Sequence, residues 1–337
     1  MRVGELPTPA LVVDGPAFER NLATMAQARP GAALRPHVKA HKSTAVARLQ
    51  QQAGHDTFCA ATPREVIGLA EAGVGADLLL ANQCLDADRL SAMARCGVPV
   101  TVAVDSDATI DAAMSAGIRS VLIDVNVGLP RGGCAPEDAE RLLGAALLVG
   151  LDVRGVMGYE GHVVGNPDDA ARAEQCARSM DILHRAHQTV GGPIISAGGT
   201  GTYLVNEVAT EIQAGSYVFS DTAYRQVVPE FELALHVLAT VLNVTREHAV
   251  ADCGLKAIGM DHGSPDIAGA EVWFCSDEHV TFASSDRGSR LQPGNRVLVQ
   301  PAHIDPTIAY HEVLHIADGP GLDAVVADAW PVDLRGW

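Results

Sequence analysis

The sequence predicts a TIM (β/α)8 barrel followed by a mostly β domain. Short apolar runs alternate with alanine-rich segments of helical periodicity, and the first five runs end roughly 22 residues apart, about one βα unit each. After about residue 235 the helical periodicity largely disappears, and strand-like runs separated by turn signals replace it. An open doubly wound sheet also alternates. It usually shows a GxGxxG or P-loop after its first strand, and neither stands there.

The eight candidate barrel strands are residues 34–39, 57–61, 77–81, 100–104, 121–125, 153–159, 193–197 and 211–219. Between them, helical periodicity covers 44–52, 63–72, 87–94, 107–116 and 136–147, then a longer segment at 167–189. The predicted barrel occupies residues 15–235. The predicted β domain takes 236–337, with strands at 233–244, 271–275, 279–283 and 296–300. Turn signals stand at Asp261-His262-Gly263 and Pro293-Gly294-Asn295. Residues 1–14 join it, because Thr8-Pro9-Ala10-Leu11-Val12-Val13-Asp14 reads as a strand ahead of the barrel.

Composition narrows the function classes. A formal net charge of −17 argues against nucleic acid or an anionic membrane as partner. The seven cysteines form no CxxC pair and no disulfide framework. No apolar run approaches membrane-spanning length, and the first residues lack the apolar core of a signal peptide. A cytoplasmic protein is expected.

In a TIM barrel, function sits where strands end. The first run ends in Arg35-Pro36-His37-Val38-Lys39-Ala40-His41-Lys42-Ser43, a lysine among other cations and two histidines. Crowding by positive charge favours the neutral amine that a Schiff-base enzyme needs. A basic surface turn that binds any anion has the same composition. The fifth run leads to Arg131, and the sixth carries Tyr159-Glu160-Gly161-His162. The seventh ends in Ser196-Ala197-Gly198-Gly199-Thr200-Gly201-Thr202, a phosphate cradle by its glycines and hydroxyls, at a strand position where such barrels often bind phosphate. Lys39 and this cradle together fit the two ends of pyridoxal phosphate (PLP). Arg131 then suits the phenolate oxygen, or is an exposed loop cation. Tyr159 suits the ring, or is core packing. In the second domain His303 and Asp305 stand two apart. On an extended segment they share a face, which suits a divalent cation such as Mn²⁺, Mg²⁺ or Zn²⁺. A structural His–Asp hydrogen bond gives the same spacing.

These pieces, in this order, resemble the D-threonine aldolase / D-serine dehydratase-like family of fold-type III PLP enzymes over nearly the whole chain. The matching set is Thr8-Pro9-Ala10-Leu11, Arg35-Pro36-His37-Val38-Lys39, Glu71-Ala72-Gly73, Leu80-Ala81-Asn82-Gln83 and Tyr159-Glu160-Gly161-His162. Gly198-Gly199-Thr200-Gly201-Thr202, Gln213-Ala214-Gly215-Ser216-Tyr217, Ala251-Asp252-Cys253-Gly254-Leu255-Lys256 and Pro301-Ala302-His303-Ile304-Asp305-Pro306-Thr307 complete it. The resemblance implies an alanine racemase-like PLP barrel with a β domain, assembled as a homodimer. It implies Lys39 as the Schiff-base lysine, with Lys42 as a second, non-bonded lysine. Gly199, Thr200, Gly201, Gly215 and Ser216 fall at the phosphate, with Ser196 beside them. Gln213 falls at the pyridine nitrogen, where a neutral amide leaves a weaker electron sink than a pyridinium. His303 and Asp305 fall at the metal.

The resemblance also bears on the reaction. Dehydratases of the family show His-x-Cys at the metal and aldolases show His-x-Asp, which is the pattern here. A carboxylate prefers harder Mn²⁺ or Mg²⁺, where a thiolate prefers zinc. The expected reaction is therefore retro-aldol cleavage of a D-3-hydroxy amino acid, of the D-threonine or 3-hydroxyaspartate type, to glycine and an aldehyde. The base is a metal-bound water or His162, with His37 and His41 as competitors. Dehydration of D-serine or 3-hydroxyaspartate is the alternative. An amino-acid racemase needs a second base, and Tyr310 is the one tyrosine after residue 235. A non-catalytic PLP-binding protein of this barrel type lacks the second domain and metal pair.

Overall fold

The structure, a computed structural model, describes residues 1–285 and 291–336. Residues 286–290 and 337 of the predicted β domain lie outside the described residues. The chain divides into two units. One holds residues 1–24, 40–45 and 216–335, and the other holds 25–39 and 46–215 with Gly336. The first elements are β1 (Ala10–Asp14) and α1 (Gly15–Ala28).

The second unit is the barrel. Its strands are β2 (Thr57–Ala60), β3 (Asp77–Leu80), β4 (Val100–Val104), β5 (Ser120–Asp124), β6 (Asp152–Met157), β7 (Ile194–Ala197) and β8 (Glu211–Ile212). They pair in parallel and in sequence order. Helices return the chain between them: α2 (Thr44–Gln52), α3 (Pro63–Glu71), α4 (Ala87–Ala94), α5 (Asp107–Ser115), α6 (Ala139–Leu148) and α7 (Asp169–Val190). Local chemistry sets the helix starts. Thr62 and Glu65 form a capping box with Pro63 at the first position of α3, and Asp168 caps α7. Cys59, Leu79, Ala103, Leu122, Met157 and Ile194, one from each of β2 to β7, pack as a buried cluster.

Two predicted strands come out differently. Residues 34–37 hold the eighth barrel position by bridges alone, Leu34 to Ile212 and His37 to Cys59, both parallel. Backbone hydrogen bonds follow: Arg35 N–H to Ile212 O (2.9 Å), His37 N–H to Ala214 O (3.0 Å) and Cys59 N–H to Pro36 O (2.9 Å). Pro36 has no N–H for a regular ladder, and Val38–Ala40 turns into a 3-10 helix rather than continuing the strand to residue 39. The run at 211–219 likewise shortens to β8, because Gly215 interrupts it and Ser216–Val218 is a second 3-10 turn.

The other unit is built on β9 (Leu235–Val244), β10 (Ala249–Ala251), β11 (Asp266–Ile267), β12 (Ala270–Cys275), β13 (Val280–Ser284), β14 (Arg296–Gln300), α8 (Ile304–Ala309), β15 (Val313–Ala317) and β16 (Val326–Pro331). The sheet runs β12-β13-β10-β9-β1-β15-β16, and β14 pairs with both β9 and β11. β1 is buried along its whole length, antiparallel to β9 and parallel to β15. Val3, Leu6, Ala10, Val12, Leu238 and Ala317 form the cluster beneath it.

Candidate active site

Residues at the carboxyl ends of consecutive barrel positions make the first cluster. Lys39, half-buried, sits in the 3-10 turn after the 34–37 segment, and its N–H donates to His37 Nδ1 at 3.4 Å. The expected crowding by Arg35 needs correction. Arg35 is buried and its guanidinium is balanced by Glu211 (Nε to Oε1, 2.8 Å) and Asp77 (3.4 Å), so it does not face Lys39 as a bare charge. His41 Nδ1 accepts from Ser43 N–H at 3.2 Å, which repeats the pattern of His37 two residues on.

A relay runs from Arg35 to Gln213. Glu211 Oε1 also accepts from Ser196 Oγ at 2.7 Å, and Ser196 Oγ accepts from Gln213 Nε2 at 2.8 Å. Gln213 Oε1 in turn accepts from the Cys59 thiol at 3.3 Å. This fixes the orientation of the Gln213 amide. Ser196 is fully buried and its hydroxyl is engaged on both sides, so it holds Gln213 in place. Burial pushes the Cys59 thiol well above its usual range, so it stays a donor.

The glycine loop after β7 has the shape of a cradle. Gly198 has φ +84°, open to glycine at no steric cost. A Cβ at Gly201 would lie 1.8 Å from Val164 O, so no larger residue fits there. The residue that sequence reasoning passed over is Glu160. Fully buried, it accepts from Thr202 Oγ1 (2.7 Å), Asn206 Nδ2 (3.4 Å) and Gly198 N–H (3.2 Å). Thr202 Oγ1 then accepts from Gly199 N–H at 3.1 Å. The carboxylate thus ties both sides of the loop. Gly215 is buried just after β8.

Arg131 and Tyr159 meet, with the guanidinium carbon 5.2 Å from the ring centroid. They line one small cleft with Asp124, Asn126, Leu129 and Gly132. A Cβ on Gly199 would stand 3.5 Å from the Tyr159 ring, which places the ring beside the cradle. Gln83 donates to Asp124 Oδ2 at 2.7 Å, and burial pushes the Asp124 carboxyl up to about 6. His162 is exposed and packs on the backbone at Gly128, where a Cβ would stand 3.0 Å from its ring. These residues fit PLP: a lysine at a strand end, a ring platform, and a loop only glycine can form.

The other unit carries the second cluster. His303 and Asp305 are not on an extended segment, as was expected. His303 is the residue before α8 and Asp305 lies in its first turn. Pro306 is tolerated in a first helical turn, and an acidic residue there is favoured by the helix dipole. The two still face each other, with His303 Nε2 3.8 Å from Asp305 Oδ1, and both are mostly buried (17% and 14% exposed side chains). Imidazole and carboxylate ligands bond such cations at about 2.0–2.2 Å, so a gap of this size is compatible with a shared ion. Ser216 Oγ donates to Asp305 Oδ1 at 3.2 Å. His303 Nδ1 lies 2.7 Å from Asp261 Oδ2. Asp221, buried, accepts from Ile304 N–H (3.2 Å) and Tyr224 N–H (3.0 Å), which anchors the start of α8. Burial pushes its carboxyl up to about 6. Tyr310 is exposed at the far end of α8.

A racemase-type barrel with a strand-end lysine and glycine cradle, joined to a β unit with an imidazole–carboxylate pair, defines a fold-type III PLP lyase. Comparison narrows the class. Residues 13–223 match the family "Alanine racemase, N-terminal domain", and residues 234–317 match a serine dehydratase domain model. The 3-hydroxy-D-aspartate aldolase of Paracoccus denitrificans is 30% identical over 100% of this chain and 94% of its own length. The D-threo-3-hydroxyaspartate dehydratase of Delftia sp. is 31% identical over 98% of each chain. The crystal structure of D-threonine aldolase from Filomicrobium marinum superposes with a TM-score of 0.93 at 30% identity, covering 99% of this chain and 97% of that one. The chain belongs to the D-threonine aldolase / D-serine dehydratase-like family.

Proposed function

We propose that this protein cleaves a D-3-hydroxy amino acid, of the D-threonine or 3-hydroxyaspartate type, into glycine and an aldehyde, with PLP and a divalent cation. The observation that carries the reading is the His303–Asp305 pair, an imidazole and a carboxylate 3.8 Å apart in a chain that aligns end to end with an aldolase.

PLP supplies an electron sink for the pair released when the Cα–Cβ bond breaks. Lys39 is the residue that would hold it covalently, and Gly199, Thr200, Gly201 and Gly215 would hold its phosphate. Gln213 would serve its ring nitrogen. The amide is neutral by its chemistry, and the relay to Ser196 and Cys59 fixes its orientation. Tyr159 and Arg131 would serve the ring face and the phenolate oxygen. His303 and Asp305 would hold a divalent cation, Mn²⁺ or Mg²⁺ before Zn²⁺, and it would supply Lewis acidity toward the substrate's β-hydroxyl. His162, exposed to take and release protons, is the proposed base for that hydroxyl.

The same reading carries a homodimer in a reducing cytoplasm. All seven cysteines are free, and no helix among the described residues is long and apolar enough to cross a membrane.

Dehydration stands as the second reading because the Delftia dehydratase is 31% identical to this chain along 98% of each. Product analysis separates the two. Protein loaded with PLP and Mn²⁺ is incubated with D-threonine and with D-3-hydroxyaspartate. Glycine with acetaldehyde or glyoxylate is the expected result. Ammonia with 2-oxobutanoate or oxaloacetate would replace the aldolase by the dehydratase.

A further inference from the structure

We propose that Asp261 is the positioning residue for His303, holding the imidazole so that only Nε2 is offered to the cation. The proposal rests on the metal reading above. An ionised carboxylate has acceptors only, so His303 Nδ1, 2.7 Å from Asp261 Oδ2, carries the ring proton. The lone pair then lies on Nε2, the atom 3.8 Å from Asp305 Oδ1. A hydrogen bond from the distal nitrogen fixes both tautomer and ring rotation, and it raises the basicity of the ligating nitrogen. Asp261 side-chain exposure is 55%, against 17% for His303, so the ligand is sheltered while its orienting group reaches water.

The backbone holds Asp261 in place. Gly259 bridges antiparallel to His303, and its N–H donates to Thr307 Oγ1 at 2.9 Å. A Cβ at Gly259 would fall 2.3 Å from Pro306 Cγ, so this segment lies directly on the first turn of α8. Thr307 Oγ1 also donates to His303 O at 2.7 Å. The turn after Gly259 therefore delivers Asp261 to one fixed spot. The His262 ring stacks on His303 with centroids 3.8 Å apart and planes 6° apart, which further limits rotation.

Asp261, His262 and His303 bring ligand atoms within 4.8 Å of one another, so a three-group chelate is the competing arrangement. The stacking argues against it. A ring nitrogen's lone pair lies in the ring plane, so parallel rings point their lone pairs side by side rather than at one ion.

Two measurements on metal-stripped protein test this. Calorimetric Mn²⁺ titration is run on the wild type and on Asp261→Ala, Asp261→Asn, His262→Ala and His303→Ala. Nitrogen-15 spectra of the histidine-labelled, metal-free protein report which His303 nitrogen is protonated. The expected result is Mn²⁺ binding about 10–100-fold weaker in Asp261→Ala, with the His303 proton no longer confined to Nδ1. His262→Ala should lose less than His303→Ala. Asp261→Asn is isosteric and guards against a folding artefact, with its thermal midpoint read alongside. If His303→Ala binds Mn²⁺ like wild type, the metal reading itself fails. If His303→Ala loses binding but both Asp261 variants keep it, only the positioning role is overturned. A His262→Ala loss equal to that of His303→Ala would replace the proposal with the chelate.

Discussion

Glu160 Oε1 accepts a 2.7 Å hydrogen bond from Thr202 Oγ1, and its other oxygen accepts from Gly198 N–H at 3.2 Å. One buried carboxylate therefore holds both ends of the glycine cradle. Glu160→Gln puts an amide in its place, and one partner then loses its acceptor. Leaving a buried donor unpaired costs about 1–3 kcal/mol. PLP affinity of the stripped protein should fall about tenfold, together with a lower thermal midpoint. Wild-type PLP affinity in Glu160→Gln would show that the cradle does not depend on this tie.

Among the described residues, Lys39 is the one lysine of the barrel unit, in the 3-10 turn that follows residues 34–37. Lys39→Ala should remove the yellow colour of lysine-bound PLP and abolish turnover. The fold should persist, because the side chain is half-buried and the 34–37 bridges are backbone contacts. Absorbance of the PLP-reconstituted variant, checked beside its circular dichroism, decides it. An intact yellow band would move the assignment to another amine.

How much of this was legible in the sequence depends on how far each signal reaches. Periodicity and capping are local, so the helices at 44–52 and 87–94 and the strands at 100–104 and 296–300 have their predicted bounds. Lys39 and the glycines of 198–201 carried local signals too. Glu160 and Asp261 did not, because each acts on a partner 42 residues away, Thr202 and His303. Nothing near either residue marks that contact. The 34–39 and 303–305 segments were read as extended, from apolar character and from spacing. Pro36 and the first-turn chemistry of Asp305-Pro306 decided otherwise. β15 and β16 went unpredicted. Each pairs with a strand far away or with a partly exposed neighbour, and β16 shows no alternating burial.

Asp305 sets the hardness of the proposed cation site. Asp305→Cys swaps a carboxylate for a softer thiolate while His303 stays. Zn²⁺ should then bind more tightly relative to Mn²⁺, by at least about tenfold in the ratio of affinities, and Ser216 loses its carboxylate partner. Competitive titration of the metal-stripped variant reads the ratio directly. An unchanged ratio would mean that residue 305 does not touch the ion.

Asp124 gives a pH dependence whose sign can be worked out. Burial lifts its carboxyl from a usual value of 3.8 to about 6 in the folded chain, despite the hydrogen bond from Gln83. Between those values the native state holds a proton that the unfolded state has released. Stability therefore falls as pH rises through this window, by about 3 kcal/mol at most, and then levels off. Asp124→Asn keeps an oxygen for Gln83 and removes the titration. Asp221 titrates in the same range, so the quantity to read is the difference between the two proteins rather than either curve. The midpoint of Asp124→Asn minus that of wild type should grow from pH 4 to pH 6 and stay flat above pH 7. A difference independent of pH would mean that Asp124 ionises as an ordinary aspartate, and the Gln83 bond would then outweigh its burial.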